Sequence, residues 1–196
     1  MQWGGVACYA VGLWIAAFGR FHRQKGRWVV PIEFKHQHYG SALFQIAQDP
    51  HFTTINAVHY RGRKSRCGFR INKVIGVYLK YVSEPQGKKT PVYPFSFSQE
   101  NLKELRVMQK NRPRLFLALV CVKDREICCL PYNSFRRLIE ARKKSNGKAE
   151  EEYIVEVFIW QRNRLRVWIN FPGRRHTFAD ELKIPRNDFP RKLFET

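Results

Sequence analysis

Apolar positions follow two spacings along this chain, and each spacing predicts a different kind of element. RLFLALVCV, residues 114–122, is a continuous apolar run of strand length, so it predicts a central strand covered on both faces. YNSFRRLIEARKKSNG, residues 132–147, repeats apolar side chains every three or four positions and predicts a helix that ends at Gly147. EYIVEVFIW and LRVWINF, residues 152–160 and 165–171, predict a hairpin.

The rest of the chain predicts further helices and strands separated by turn residues. In chain order, we expect a buried helix over 4–26, a strand over 27–36, a short helix over 41–48, strands over 53–60 and 67–82 joined by a turn at 61–66, a loop over 83–94, a helix from Ser98 to Asn111 and a strand over 126–132. This order predicts an α+β or mixed α/β fold, with a central mixed sheet flanked by helices and a C-terminal β-hairpin. We expect a single domain over 1–196, with its core over about 4–145 and the hairpin and a polar tail over 150–196.

Charge is the strongest functional signal in the sequence. The chain has 36 Lys+Arg against 16 Asp+Glu, which gives a net charge of +20. Such a balance favours a polyanionic partner through Coulomb attraction and counterion release, and nucleic acid is the usual one. Two alternatives are a basic surface that serves solubility alone and one that binds an anionic membrane. With 44% hydrophobic and 14% aromatic residues, the chain is too rich in core-forming side chains for a disordered basic tail.

Cysteine usage and the absence of a clear membrane segment indicate a cytoplasmic protein. The five cysteines are odd in number and form no CxxC pair, so they suggest neither a disulfide framework nor a zinc ribbon. The apolar run from Val6 to Phe18 is too short to span a bilayer, and we expect it to belong to the first helix.

Two groups of cations lie at predicted turns and favour nucleic-acid binding. The first group comprises Arg61, Arg63, Lys64 and Arg66. The second group lies next to Trp160 and Trp168 and comprises Arg162, Arg164 and Arg166. Arginine with neighbouring aromatic rings can grip phosphate and stack on unpaired bases, and strand alternation favours an exposed face that carries Arg164, Arg166 and Trp168. The alternative is a pair of solvated turns with the tryptophans in the core.

IGVYLKYVS, residues 75–83, predicts a buried strand that carries Lys80 in its middle. This strand, the mixed sheet and the charge resemble the PD-(D/E)xK nuclease-like fold, the restriction-endonuclease-like superfamily. In that family a helix precedes a strand hairpin, an acidic residue lies on the first hairpin strand, and the next strand carries an acidic residue, any residue and a lysine. The element order from about Gly4 to Ile139 is similar, and Val77-Tyr78-Leu79-Lys80 falls where the lysine strand belongs.

The resemblance implies a metal site in which two acids hold Mg²⁺, a hard cation that prefers oxygen ligands, while the lysine orients water and neutralises phosphate charge. Tyr78 stands where the second acid belongs and Asn56 stands where the strand-borne aspartate belongs, so Lys80 and Asn56 are the candidate catalytic residues. Glu33 and Asp49 are the only acids among residues 1–83 and are the candidate metal ligands. Glu33 also belongs to an E-x-K sequence that ends at Lys35.

Two hypotheses about function follow. The first is a nucleic-acid-binding protein on a nuclease-like core. It is either a divergent Mg²⁺-dependent nuclease or a relative without cofactor that lost the metal-binding acids and still binds nucleic acid. The second is a non-catalytic adaptor or structural subunit of a larger nucleoprotein assembly. Carboxylates within reach of Lys80 would favour the enzyme, whereas basic and aromatic neighbours alone would favour the adaptor. The partner is DNA or RNA rather than a membrane, and a homodimer is one possible assembly.

Other residue patterns have simpler interpretations. His36 and His38 are two apart, but no Cys or third His completes a metal set, so we expect solvated side chains. Cys128 and Cys129 are expected to be core thiols. For Lys80 itself the alternative to a catalytic role is a stem packed on Tyr78 with the ammonium in water. The chain has no GxSxG, P-loop or GxGxxG sequence, so it gives no support for hydrolase-elbow or nucleotide-motor chemistry.

Overall fold

The computed structural model describes residues 31–88, 90–111, 114–159, 164–174 and 177–195, together with the backbone of 22–24 and 27–29. The chain divides into two compact units, Met1–Gln37 and His38–Thr196. Most of the helix expected over 4–26, including the Val6 to Phe18 run, lies outside the described residues. Where the described backbone begins, that expectation is wrong: His22–Gln24 (β1) pairs antiparallel with Arg27–Val29 (β2), so the backbone groups bond across a hairpin and not along a helix.

The remaining elements begin with a helix that starts before the end of the first unit. In chain order they are α1 Phe34–Ala47, β3 Ile55–Tyr60, β4 Arg63–Ile71, β5 Ile75–Val82, β6 Val92–Ser98, α2 Gln99–Asn111, β7 Arg114–Cys121, β8 Glu126–Pro131, α3 Tyr132–Asn146, β9 Glu152–Ile159, β10 Arg164–Asn170, β11 Phe178–Pro185 and α4 Arg191–Phe194. The strand expected over 27–36 therefore ends early, because the chain is helical from Phe34 onward. The E-x-K sequence accordingly lies at the start of α1 and not on a strand.

A mixed sheet of five strands, in the order β3-β4-β5-β7-β8, forms the centre of the second unit. Strands β5 and β7 are parallel, with Leu79 opposite Ala118, and the other neighbouring pairs are antiparallel. The run at 114–122 is thus confirmed as a central strand, and the mixed α+β class is confirmed. A parallel pair requires a crossover connection, which β6 and α2 supply.

Both faces of the five-stranded sheet are covered by apolar side chains. On one face, Ala42 and Ile46 of α1 and Leu193 of α4 pack with odd-numbered residues of β5, among them Val77 and Leu79. The other face, which includes Tyr78, packs against α2, α3 and a second sheet. Strand β5 is therefore buried on both sides as its sequence predicts, since residues 75–79 are all buried.

The second sheet has four antiparallel strands in the order β11-β10-β9-β6. Its central pair, β9 and β10, confirms the predicted hairpin. Its outer strands were not expected: β6 falls where we predicted a loop and a helix start, and β11 falls in the segment predicted as a polar tail. Pro94 obscured β6, and it is tolerated there because β6 is an edge strand.

Two turns differ from the prediction and matter for the site. The reversal after β3 uses only Arg61 and Gly62, whose φ values are 50° and 75°, so Arg63 to Arg66 belong to β4 and not to a long turn. Two consecutive positive φ values are the geometry of a tight two-residue hairpin turn. The strand expected over 67–82 is two strands, because Asn72 and Lys73 also have positive φ. The Asn72 Oδ1 accepts hydrogen bonds from the backbone N–H groups of Thr53 and Thr54, which fixes this second turn.

Helices α2 and α3 begin and end where the sequence predicts, whereas α1 begins seven residues before the predicted 41–48 and α4 lies in the predicted polar tail. Ser98 caps α2: its Oγ accepts from the backbone N–H of Asn101 at 3.3 Å, and the Asn101 Oδ1 accepts from the backbone N–H of Ser98 at 3.2 Å. Gly147 ends α3 in the left-handed conformation, as predicted. Within the described residues no helix has both the length and the apolar character needed to cross a bilayer.

Candidate nucleic-acid interface

The hairpin formed by β3 and β4 carries the first predicted group of cations, and we call it the basic hairpin (residues 55–71). Arg61, Arg63, Lys64 and Arg66 are all exposed. Arg61 faces Glu100 at the start of α2, with 3.5 Å between Nη1 and Oε1. The other three cations form no ion pair with any described residue.

The sequence around the basic hairpin contains no counter-charge. The segment from Pro50 to Ser83 contains seven Lys+Arg and not one Asp or Glu. In that segment Arg70 is half-buried, and its Nε has no hydrogen-bond partner among the described residues. The hairpin is therefore a region of positive potential that the protein itself barely neutralises.

The second group of cations is arranged differently. Arg166 is bonded to Glu181 through two nitrogens, at 2.5 Å for Nε and 2.9 Å for Nη2. Hydrogen bonding to this guanidinium lowers the pKa of the Glu181 carboxyl. Trp168 is 1% exposed and donates its indole N–H to Glu156 at 2.6 Å. The expectation that Trp168 lies on an exposed face is thus wrong, because its ring packs between Phe158 and Phe178.

Of the rest of that group, Arg164 is exposed at the start of β10, whereas Arg162 and Trp160 lie outside the described residues. The guanidinium of Arg166 lies 5.8 Å from the Trp168 ring centre, yet its charge is already matched by Glu181. The second group is therefore a weaker candidate for phosphate binding than the basic hairpin.

Lys80 points from β5 towards the second sheet. Its ammonium donates to the backbone carbonyl of Ser96 on β6 and lies 4.9 Å from the ring centre of Phe97. Burial lowers the pKa of Lys80 below its ordinary value, although Cys67, Glu152 and Glu104 oppose this effect. The side chain thus joins the two sheets and is not immersed in water.

A cavity of about 230 Å³ opens beside Lys80 and is lined by residues that include Tyr39, Cys67 and Tyr81. The Tyr39 hydroxyl lies 3.5 Å from the Cys67 thiol, and burial raises the pKa of this tyrosine. On the same strand as Lys80, the Tyr78 hydroxyl donates to Glu104 of α2 at 3.1 Å. The buried carboxylate of Glu104 therefore lies beside Tyr78, which we predicted to stand in place of an acid.

The residues predicted to hold Mg²⁺ lie in different units of the chain. Glu33 lies in the first unit, where its carboxylate pairs with Lys35 at 2.7 Å. Asp49 lies in the second unit, and its Oδ1 is engaged by the backbone N–H and the ring of His51. Asn56 is exposed on β3, opposite Arg70. In the described part of the chain, no three His, Cys, Asp or Glu side chains are grouped so that they could hold a metal ion.

Of the two histidines, His36 is exposed as expected, and its Nδ1 accepts from the backbone N–H of Glu33. The expectation of a solvated side chain is wrong for His38, which is half-buried because its ring packs 4.8 Å from that of Tyr81. Cys128 and Cys129 are buried thiols, as expected. Sequence reasoning missed Glu104, although a single acid among the apolar positions of α2 was a visible signal.

Two further cavities lie away from Lys80. One of about 450 Å³, beside the second sheet, has three carboxylates in its lining, those of Glu150, Glu152 and Glu156, together with Arg142 and Arg174. Because the carboxylates outnumber the arginines, we call it the acidic cleft. The other, about 260 Å³, lies between α2 and α3 and has Arg106 and Arg136 at its rim. The second lining holds three cations, Arg106, Arg136 and Lys143, against the single carboxylate of Glu140, so it suits an anionic ligand better than the acidic cleft does.

No protein-family model, curated protein or solved structure matches this chain.

Proposed function

We propose that this protein binds the phosphate backbone of nucleic acid through the basic hairpin, and that it holds the nucleic acid without cutting it. The observation that carries the proposal is the set of exposed cations on β4, Arg63, Lys64 and Arg66, which have no ion-pair partner among the described residues. Exposed cations of this kind release counterions from a nucleic acid when they contact its phosphates.

The contrast with other arginines supports a binding role over general solubility. Arg137 pairs with Asp180, Arg142 with Glu150 and Arg186 with Glu126, all at 2.8 Å or less. Carboxylates are thus available to the C-terminal half of the chain but absent from the segment that forms the basic hairpin. A surface needed only for solubility has no reason to separate the two signs of charge in this way.

The nuclease-like core remains part of the proposal because of its element order. A helix, α1, precedes the hairpin β3–β4, and the next strand, β5, carries Lys80. The grouping that would hold a metal is lacking among the described residues, and the Lys80 ammonium is engaged with Ser96 and Phe97. Glu104 and Glu152 raise the pKa of Lys80, as carboxylates near a catalytic lysine would, but each already accepts a hydrogen bond, Glu104 from Tyr78 and Glu152 from Ser96. Taken together, these features favour a relative of the nucleases that still binds phosphate, which also suits a role as an adaptor in a nucleoprotein assembly.

The test is binding to labelled single- and double-stranded DNA and RNA by fluorescence anisotropy over a range of salt concentrations in EDTA. We expect the dissociation constant to rise steeply with salt. The triple variant R63A/K64A/R66A should lower the log–log slope on duplex DNA by roughly 2.7, since each phosphate that the protein neutralises contributes about 0.9 to the slope. The matched control is K88A/K148A/R174A, which removes three exposed cations elsewhere and should leave the slope nearly unchanged.

Two results would contradict this proposal. Equal salt slopes for the triple variant and its control would remove the basic hairpin from the interface. Cutting of any labelled strand in Mg²⁺ or Mn²⁺, but not in EDTA, would show that the protein is a nuclease whose ligands lie elsewhere. Loss of that cutting in Lys80→Ala would then assign the catalytic lysine.

A further inference from the structure

The cavity between α2 and α3 has a floor of apolar and aromatic side chains and a rim of cations. Leu102 and Arg106 come from α2, and Tyr132, Phe135, Arg136, Ile139, Glu140 and Lys143 come from α3. Tyr132 is 7% exposed and forms part of the floor. Burial raises the pKa of the Tyr132 hydroxyl, the charges of Arg106 and Arg136 oppose that rise, and the charge of Glu140 adds to it.

The two arginines at the rim are not neutralised by the protein. Arg106 and Arg136 are exposed, and neither forms an ion pair with a described residue. Glu140, the single carboxylate in the lining, also forms no ion pair in the described part of the chain. Two arginines near one opening, with a wall of buried residues below, can bind a phosphate group through several N–H donors at once.

Helix α2 connects this opening to the basic hairpin. Its buried side contains Leu102, Leu105 and Met108, whereas Lys103, Arg106 and Lys110 are exposed at spacings of three and four residues and therefore lie along one side. The start of the helix contacts the hairpin turn through Glu100 and Arg61. Arg106 is six residues further along, about 9 Å at 1.5 Å per residue. A line of positive charge thus runs from the hairpin turn along α2 to α3.

We propose that the opening between α2 and α3 is a second phosphate-binding position, in which Arg106 and Arg136 hold the backbone of the same nucleic acid that the basic hairpin contacts. This inference rests on the proposed function and extends it to a continuous path for one strand. The acidic cleft is less favourable to a polyanion, because its three carboxylates outnumber the two arginines, Arg142 and Arg174, in its lining. The proposed path is therefore confined to one part of the surface and does not follow from the net charge alone.

The experiment compares the variant R106A/R136A with the control K88A/R174A, in which exposed Arg174 lines the acidic cleft and exposed Lys88 follows Gly87 of the same lining. Binding of the full chain to labelled duplex DNA and single-stranded RNA is measured as a function of salt. We expect R106A/R136A to lower the duplex slope by roughly 1.8, whereas the control keeps the slope of the unmodified protein. A second variant, R106K/R136K, keeps both charges and should recover most of the slope while giving up the bidentate hydrogen bonds that tighten binding.

The outcomes separate this inference from the proposal that it extends. If the unmodified protein does not bind nucleic acid, the proposed function fails. If the hairpin variant R63A/K64A/R66A lowers the slope but R106A/R136A matches its control, the inference fails and the proposed function stands. Circular dichroism and thermal melting of each variant check the fold, and because the substituted side chains are all exposed, we expect every variant to keep its structure.

Discussion

Replacement of Lys80 by methionine separates the structural role of this side chain from a role in phosphate chemistry. Methionine keeps most of the apolar stem but removes the ammonium that contacts the Ser96 carbonyl and the Phe97 ring. A hydrogen bond from a charged group contributes about 1.5–3 kcal/mol and a cation–π contact about 0.5–2 kcal/mol. Against these gains stands the cost of removing the ammonium from water, which is the dominant influence on its pKa.

Because burial outweighs the neighbouring negative groups, the protonated lysine is less favourable in the folded protein than in the unfolded chain. We therefore expect Lys80→Met to change the free energy of unfolding by less than about 1 kcal/mol, as for other buried charges replaced by apolar groups of similar volume. Lys80→Ala should cost about 2 kcal/mol more, since it removes about three methylene groups at about 0.8 kcal/mol each. Urea denaturation followed by circular dichroism measures both values.

The pH dependence gives an independent check on Lys80. Since the folded pKa lies below the ordinary value of 10.5, the unfolded chain binds more protons in the range between the two, and stability rises with pH there. The unmodified protein should thus gain stability relative to Lys80→Met as the pH approaches 10.5. A destabilisation of more than about 3 kcal/mol in Lys80→Met, together with a falling advantage of lysine at high pH, would refute this reasoning. Unchanged nucleic-acid affinity in Lys80→Met would support a role in joining the sheets.

Three further substitutions test contacts that shape the second unit. Gly68→Ala would place a Cβ 2.9 Å from the Met108 Sδ and the Ser65 Oγ, so it should lower the free energy of unfolding by about 1–3 kcal/mol in urea denaturation. Gly40→Ala, in open space within α1, should instead raise it by about 0.5–1 kcal/mol. Equal effects of the two substitutions would contradict the close approach of α2 to β4. Tyr78→Phe leaves the Glu104 carboxylate without its hydroxyl donor and should lower the free energy of unfolding by about 1–3 kcal/mol, and a neutral result would mean that this bond adds nothing. Hydrogen bonding to Arg166 lowers the pKa of Glu181, so this pair stabilises the fold above the unfolded pKa of the carboxyl and loses its effect as the pH falls through the folded pKa. Glu181→Gln should therefore reduce the difference between the urea midpoints at neutral and acidic pH. An unchanged difference would exclude the pair as a contributor to stability.

The sequence predicted those elements whose spacing is set by burial alone. RLFLALVCV has one interpretation, because a continuous apolar run of strand length between polar ends must be covered on both faces. The helix over 132–147 was equally clear, since its apolar residues fall on one side and Gly147 ends it. Strand β6 was hidden because Pro94 and the polar Ser96 interrupt its pattern, and both are tolerated at the edge of the second sheet. The turn at Asn72 was hidden because its cause is a set of hydrogen bonds to residues 53 and 54, which are distant in sequence.

The sequence likewise predicted only part of the candidate site. Charge without counter-charge between Pro50 and Ser83 is a property of the sequence, so the basic hairpin could be identified before its geometry was known. The pairing of Arg166 with Glu181 could not be identified in this way, because it depends on β11, a strand in the segment that we predicted to be a polar tail. The environment of Lys80 likewise depends on β6, whose residues Ser96 and Phe97 reach the lysine only through contact between the two sheets. Pairings between distant segments are therefore what single-sequence patterns leave undetermined.

The connection between β5 and β7 passes through the second sheet, and this path constrains how the protein assembles. After β5 the chain enters the second sheet as β6, which pairs with β9 from Val92↔Phe158 to Ser98↔Glu152. It then returns through α2 to β7, which pairs with β5 in the first sheet. One stretch of chain thus joins strands of both sheets, and the parallel pair forms only when a long loop closes. The second unit should consequently gain and lose its structure in one cooperative step, and a protease cut within 83–91 should weaken both sheets together.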